Sequence, residues 1–152
     1  MHRDGLYTAK CDVPGFRDGF REYEKAIIEL RSKFAPGSGV DYLLDLLSRM
    51  SKDSGVTTRD NGVSQEVEAR QGVSLKALVQ VKPRVALRPF RTFLEVEQPE
   101  SEFLLRLDDD GNVGLFEADG GMWQQTAKAS ITAYFEDKLA QEAKDGKIVV
   151  MM

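Results

Sequence analysis

The chain has 152 residues, of which 41% are hydrophobic and 30% are charged, and its formal net charge at neutral pH is −4. This composition is typical of a globular protein that is large enough to bury a core, whereas the acidic balance argues against broad, non-specific binding to duplex nucleic acid. A single cysteine, Cys11, excludes an internal disulfide, and no apolar run approaches the ~20 residues of a membrane span.

Residues 1–15 show no apolar periodicity, and Pro14-Gly15 separates them from the chain that follows. We predict a loose amino-terminal arm over 1–15 and a single α+β domain over 16–152. Because the arm lacks the apolar core of a signal peptide, we expect a cytoplasmic protein.

Residues 16–51 are predicted to form an αα-hairpin. Ala35–Gly39 ends a first helix, and a second apolar face runs from Val40 to Met50. The apolar seam of the first helix steps by four and three residues, and it consists of Phe16, Phe20, Tyr23, Ile27, Leu30 and Phe34. Packing on the chain's own domain explains most stripes of this kind. The alternative is that these six residues contact a partner or a second copy.

A β-meander is predicted over 56–118, where β-compatible runs alternate with turn sequences. Asp60-Asn-Gly62 is typical of a hairpin turn, and Asp108–Asn112 marks a second hairpin between 102–107 and 113–118. Pro83 argues against one continuous central strand in this region.

A long helix is predicted over 120–143, followed by a final strand over 147–152. The helix is indicated by apolar residues at three- and four-residue spacing, namely Trp123, Ala127, Ile131, Tyr134, Phe135 and Leu139. We expect Asp119 to cap its first turn and Gly146 to take a left-handed conformation at its end. A right-handed crossover would make the final strand parallel to the strand before the helix, and Trp123 and Phe135 would hold the helix on the sheet.

These elements predict an α+β fold with a mostly antiparallel sheet of about five to six strands. The long carboxy-terminal helix and the amino-terminal αα-hairpin would cover that sheet. No internal repeat or interdomain linker divides the chain.

One candidate site is a set of basic residues with aromatic neighbours, which could contact phosphates while stacking bases. Its members are Lys76, Lys82, Arg84, Arg88 and Arg91, with Phe90 and Phe93 between them. The alternative is a solvated sheet face balanced by Glu66, Glu68, Glu95 and Glu97. Single-stranded nucleic-acid binding is therefore a hypothesis that we do not favour.

A second candidate is the acidic hairpin, where Asp108, Asp110 and Glu117 could hold a hard cation. Their spacing resembles part of an EF-hand loop, but Arg106 stands where the first carboxylate is needed and the flanks predict strands. A solvated hairpin tip explains the cluster better, so we assign no metal site. A metal-dependent hydrolase using this hairpin stays an alternative hypothesis.

Catalytic motifs are otherwise missing from the sequence. The only histidine, His2, and the only cysteine lie in the predicted arm, and no Gly-x-Ser-x-Gly, phosphate-cradling loop or zinc-ligand spacing occurs. We therefore predict no catalytic residue and no cofactor. Whether the chain is an enzyme stays uncertain, and the sequence favours a non-enzymatic protein.

Several segments resemble uncharacterised proteins of bacterial prophages and mobile elements, and are similar to the YfdQ-like phage family. They are Asp60–Val67, Leu87–Phe93, Glu95–Pro99 and Leu115–Trp123. The resemblance covers roughly residues 40–152 and implies a phage- or mobile-element-encoded accessory protein in the cytoplasm of a bacterial host, with no activity or catalytic residue attached. We expect such a protein to bind another protein or itself, without a membrane. In the alternative of single-stranded nucleic-acid binding, the resemblance implies an accessory in phage replication or recombination.

Overall fold

A computed structural model describes residues 5–13, 15–50, 54–60, 65–71 and 74–151. Seven strands and four helices occur in these ranges. The amino-terminal half contains β1 (Gly19–Arg21), α1 (Tyr23–Ser32), α2 (Ser38–Arg49), β2 (Ser54–Asp60), β3 (Gln65–Gln71) and β4 (Ser74–Val81). The remainder contains β5 (Arg84–Leu87), β6 (Ser101–Leu107), β7 (Val113–Glu117), α3 (Trp123–Lys138) and α4 (Ala140–Lys144).

The described strands form two antiparallel sheets. One has four strands in the order β1-β7-β6-β5, and the other has three in the order β2-β3-β4. The α+β class is confirmed, but the prediction of a sheet with five to six strands is wrong. The division falls at Lys82-Pro83, because proline lacks the amide that a continuous ladder needs. The Pro83 carbonyl instead accepts a hydrogen bond from the Leu105 amide at 2.9 Å.

The first helix begins at Tyr23, so the predicted seam from Phe16 to Phe34 does not lie on one helix. Gly19 has a φ of 138°, which helical residues do not adopt. Phe20 lies in β1 opposite Gly114 of β7, and Phe34 follows α1 in an isolated bridge to Pro89. The spacing that suggested one helix therefore comes from apolar residues of successive elements.

The core lies between α1, α2 and the four-stranded sheet. Alternate residues of β6 are buried, so Phe103, Leu105 and Leu107 face the helices. Phe103 is fully buried, and its ring meets those of Phe16 and Phe34 at centroid distances of 5.3 and 6.4 Å. The buried core residues are Ala26, Leu30, Phe34, Val40, Leu43, Leu46, Leu47, Met50, Val81, Val85, Leu87, Phe103, Leu105, Leu107, Val113 and Leu115.

The carboxy-terminal region differs from its prediction in three respects. The predicted long helix is divided into α3, with 16 residues, and α4, with five, because Leu139 leaves helical geometry at ψ 21°. The described residues 147–151 form no strand, so the parallel crossover is wrong. Gly146 takes the expected left-handed conformation, and the Lys147 amide bonds back to the Glu142 carbonyl instead of entering a sheet.

Phe103→Ala is expected to lower the free energy of unfolding by about 3–5 kcal/mol, because the ring is fully buried and its removal leaves a cavity. Urea unfolding followed by circular dichroism measures the change. Ile28→Ala is the control, since this α1 side chain is 62% exposed and its loss should change the free energy by no more than about 0.5 kcal/mol. Equal effects of the two variants would contradict the core described here.

Gly39→Ala is expected to destabilise the contact between the start of α2 and β5. A Cβ at Gly39 would lie 2.1 Å from the Ala86 carbonyl oxygen, so the helix or the strand must shift. We expect a loss of about 1–3 kcal/mol in urea unfolding. Gly37→Ala is the matched control, because its Cβ would meet only the Arg88 guanidinium at 3.7 Å. A stability loss at Gly37 as large as that at Gly39 would refute this explanation.

Candidate functional site

The guanidinium of Arg91 is the centre of a polar cluster at one end of the four-stranded sheet. Its Nη1 donates to Glu117 in an ion pair, while its Nη2 donates to the Pro99 carbonyl at 2.9 Å and to Ser101 Oγ at 2.5 Å. The guanidinium carbon lies 4.3 Å from the ring centre of Trp123. In a residue that is only 8% exposed, the two terminal nitrogens are thus paired and hydrogen-bonded and the guanidinium stacks on an indole, whereas the buried Nε has no hydrogen-bond partner in the described residues.

The loop that carries Arg91 is fixed by Gln98, which is 6% exposed. Its Oε1 accepts hydrogen bonds from the amides of Arg91 and Thr92 at 3.0 and 3.2 Å. Its Nε2 donates to the carbonyls of Thr92 and Phe93 at 3.3 and 3.2 Å. The side-chain amide of Gln98 therefore satisfies backbone groups of this loop that would be paired with another strand in a sheet.

Asp119 joins the same cluster to the beginning of α3. Its carboxylate accepts hydrogen bonds from Ser101 Oγ and from the amides of Gly121, at 2.9 Å, and Trp123, at 3.3 Å. As predicted, Asp119 accepts the amide of the first residue of α3, although the N-cap position itself is occupied by Met122, which makes no side-chain cap hydrogen bond. Gly120 and Gly121, with φ values of 67° and 82°, form the tight turn between β7 and α3. We call Arg91, Ser101, Glu117, Asp119 and Trp123 the Arg91 cluster.

The electrostatics of the Arg91 cluster favour ionised Asp119 but leave the pKa of Arg91 below its ordinary value. Burial opposes ionisation of Asp119, but hydrogen bonds from Ser101, Gly121 and Trp123, together with the charge of Arg91, lower its pKa overall. Burial lowers the pKa of Arg91, and the carboxylates of Glu117 and Asp119 counteract that effect. Because each carboxylate already accepts bonds from the protein, the arrangement suits positioning of α3 better than acid–base chemistry.

The apolar side of α3 is largely left outside the core. We call Trp123, Ala127, Ile131, Tyr134, Phe135 and Leu139 the α3 face. Only Ala127 is buried, and the other five are of intermediate exposure. None of the six belongs to the core among the described residues. The expectation that Trp123 and Phe135 together hold the helix on the sheet is therefore wrong for Phe135. The ring of Phe135 instead lies against the ring of Tyr134, with 6.0 Å between the ring centres.

The predicted seam residues mostly serve the core. Leu30 and Phe34 are buried in it, and Phe16, Tyr23 and Ile27 pack against it half-buried. The exception is Phe20, which is 53% exposed. Its ring meets the ring of Phe116 edge-on, with 5.5 Å between the ring centres. The seam therefore does not form a continuous surface for a partner.

The three arginines of the predicted basic set are each paired with a glutamate. Arg84 bonds to Glu102 at 3.0 Å and Arg88 to Glu97 at 3.2 Å, while the Lys82 ammonium lies 4.7 Å from the ring centre of Tyr42. Arg91 belongs to the Arg91 cluster, and Phe90 and Phe93 are half-buried. The side chain of Lys76 lies outside the described residues. Of the four glutamates expected to balance this set, Glu97 is seen to do so, whereas Arg84 and Arg91 pair with Glu102 and Glu117 instead.

The acidic residues of the β6–β7 hairpin form hydrogen bonds within its turn or belong to the Arg91 cluster. Asp108 Oδ1 accepts hydrogen bonds from the amides of Asp110 and Asn112 at 3.0 and 2.8 Å, and Glu117 is paired with Arg91. In the described part of the chain, no three His, Cys, Asp or Glu residues are grouped so as to hold a metal ion. Cys11 is half-exposed, and His2 lies outside the described residues.

An open cavity of about 180 Å³ lies at the beginning of α2. Its walls include Gly37, Ser38 and Gly39, with Arg88 and Glu100 opposite. Helix amides and an arginine attract anions, but Arg88 already bonds to the Pro36 carbonyl at 2.6 Å and to Glu97. The carboxylate of Glu100 also opposes a negative ligand.

Sequence reasoning assigned Arg91 and Glu117 to two different sites, yet the structure pairs them. A signal for this pairing was present in the predicted hairpin. Antiparallel register places Phe103 opposite Glu117, so the start of β6, with Ser101, must lie beside the end of β7. The position of Arg91 could not be inferred in the same way, because its loop has no periodic pattern.

Comparisons of the chain with protein-family models, with curated proteins and with solved structures found no match. No helix in the described ranges combines the length and apolar character that crossing a membrane requires.

Asp119→Asn is expected to make folding less sensitive to acid. The pKa of Asp119 is lower in the folded state than in the unfolded chain, so the unfolded state binds the proton first as the pH falls. The stabilisation by ionised Asp119 is therefore complete above about pH 4 and is lost below it.

Urea unfolding between about pH 3 and pH 6 tests this linkage. The free energy of unfolding of the unmodified chain should fall more steeply in acid than that of Asp119→Asn. Asp110→Asn controls for the change in net charge, because this carboxylate lies exposed at the hairpin tip. Parallel curves for the unmodified chain and Asp119→Asn would rule out the linkage.

Proposed function

We propose that this chain is a non-enzymatic accessory protein that acts by protein–protein interaction or self-association, with the α3 face as its contact surface. The observation that carries the proposal is a 16-residue helix of which only one residue, Ala127, is buried, and whose large apolar residues lie outside the core cluster. Five of the six side chains of the α3 face keep part of their surface in contact with water, and a partner that covered them would remove that apolar surface from water.

The manner in which α3 is attached supports this role. Asp119 caps its first turn, and Arg91 stacks on Trp123, so the beginning of the helix is fixed to the end of the sheet. A contact surface that is already positioned loses less conformational freedom on binding than a flexible one. The Arg91 cluster therefore contributes to function by holding the α3 face in place.

The setting that we propose is a phage or mobile element, with the protein acting in the cytoplasm of a bacterial host. Support comes from the sequence resemblance described above, in which Leu115–Trp123 leads directly into α3. The hypotheses of single-stranded nucleic-acid binding and metal-dependent hydrolysis are less favoured. Arg84, Arg88 and Arg91 are paired with carboxylates, and those pairs reduce the charge available to phosphates or to a cation.

Site-specific photocrosslinking in bacterial cells tests whether any protein covers the α3 face. A photoreactive amino acid at position 131 should give an adduct with a protein, because Ile131 lies in the middle of the α3 face. The same group at position 133 is the control, since Ala133 is exposed on the opposite side of the helix. Equal yields at the two positions, or no adduct at either, would refute the proposed contact surface.

A further inference from the structure

We infer that residues 16–21, which we call the strap, open and close as a unit while the rest of the domain stays folded, and that Arg21 is the residue that fastens the strap. The inference does not depend on the α3 face. It assigns a conformational device to the margin of the four-stranded sheet that β1 forms.

The strap lies on the outside of the four-stranded sheet. Among the described strands, β1 pairs only with β7, over three pairs of residues. Residues 5–13, which precede the strap, form no helix or strand and are mostly exposed. Detachment of the strap therefore breaks no other strand pairing in the described ranges and unfolds no element before it.

The strap contributes little to the core. None of the buried core residues of the described chain lies within it, and Phe16 only packs against them half-buried. Phe20 is exposed. The helix that follows has anchors of its own, because Ala26 and Leu30 of α1 are buried in the core. Opening of the strap thus uncovers far less apolar surface than global unfolding, and it costs less free energy.

The guanidinium of Arg21 holds the strap closed. Arg21 is buried, and its Nε forms an ion pair with the buried Glu29 of α1 at 2.8 Å. Its Nη1 and Nη2 donate to the carbonyls of Gly19 and Arg17 at 3.0 and 2.7 Å, and its guanidinium carbon lies 4.8 Å from the ring centre of Phe16. Arg21 thereby ties the backbone of the strap, its aromatic ring and α1 together.

The closed strap covers an aromatic slot and a strand edge. Phe16 lies edge-on to Phe34 and to Phe103, with 5.3 Å between the ring centres in each pair. The Oδ1 of Asp18 accepts a hydrogen bond from the amide of Glu117, at the end of β7, at 3.1 Å. Opening would expose the slot that Phe16 fills, together with the backbone groups along the outer side of β7. The closed strap keeps both away from other chains.

Amide hydrogen exchange of the full chain, followed by NMR at increasing urea concentrations, tests separate opening. The amides of the strap, and those of β7 that face it, should have protection factors at least about tenfold lower than the amides between β6 and β7. Their urea dependence should also be weaker, because the opening exposes less surface. Equal protection and equal urea dependence in the two sets would overturn separate opening.

Arg21→Gln tests the fastener. It should lower the protection of the strap amides about a hundredfold, because it leaves the buried carboxylate of Glu29 without its partner. Arg17→Gln is the matched control, since it removes the same charge from an exposed side chain of the strap and should change that protection by less than about threefold. Equal effects of the two variants would overturn the role of Arg21. An Arg21→Gln chain that far-UV circular dichroism shows to be unfolded would do the same, because opening of the strap leaves the rest folded.

Gly19→Ala changes the backbone of the strap without removing a side-chain contact. A Cβ at Gly19 would meet nothing within 4 Å, but its φ of 138° is one that L side chains rarely adopt. Because only the closed strap imposes this conformation, the protection of the strap amides should fall about tenfold. Gly15→Ala is the control, since its Cβ also meets nothing and its φ is not positive. Unchanged protection in Gly19→Ala would contradict the closed strap.

Discussion

The antiparallel register between β6 and β7 determines both the core and the polar cluster of this protein. It directs Phe103, Leu105 and Leu107 toward the two amino-terminal helices. The same register brings the start of β6 beside the end of β7, where Ser101 and Glu117 receive the guanidinium of Arg91. A shift by one residue would turn the core residues toward solvent and separate the polar groups. The fold and the attachment of α3 therefore depend on one pairing.

Sequence reasoning succeeded where the determining interactions are local. The hairpin around Asp108–Asn112, the interruption at Pro83 and the capping of α3 by Asp119 each depend on residues that are close together in the chain. It failed at Phe16–Phe34, because apolar residues of β1, α1 and the following linker happen to follow helical spacing. Apolar periodicity indicates that residues face a core, but it does not show that they belong to the same helix or strand.

Long-range pairing was the other limit of sequence reasoning. Arg91 and Glu117 are 26 residues apart, and nothing local marks them as partners. The apolar spacing of α3 predicts which residues share one side of the helix. It does not predict how far that side is buried, because spacing gives the direction of a face and not what covers it. The division of the strands into two sheets was missed for a related reason. Pro83 indicates an interruption but does not say which strands pair on either side.

The linker between α1 and α2 also binds the segment that directly follows β5, the edge strand of the four-stranded sheet. Beyond β5, the Ala35 amide bonds to the Arg88 carbonyl at 2.8 Å and the Phe90 amide to the Lys33 carbonyl at 2.9 Å. The opposite margin is β1, which has only three residues. Short or covered margins give an incoming extended chain few free backbone groups to bind. Addition of further strands at these two places, and with it growth into fibrous aggregates, is thereby disfavoured.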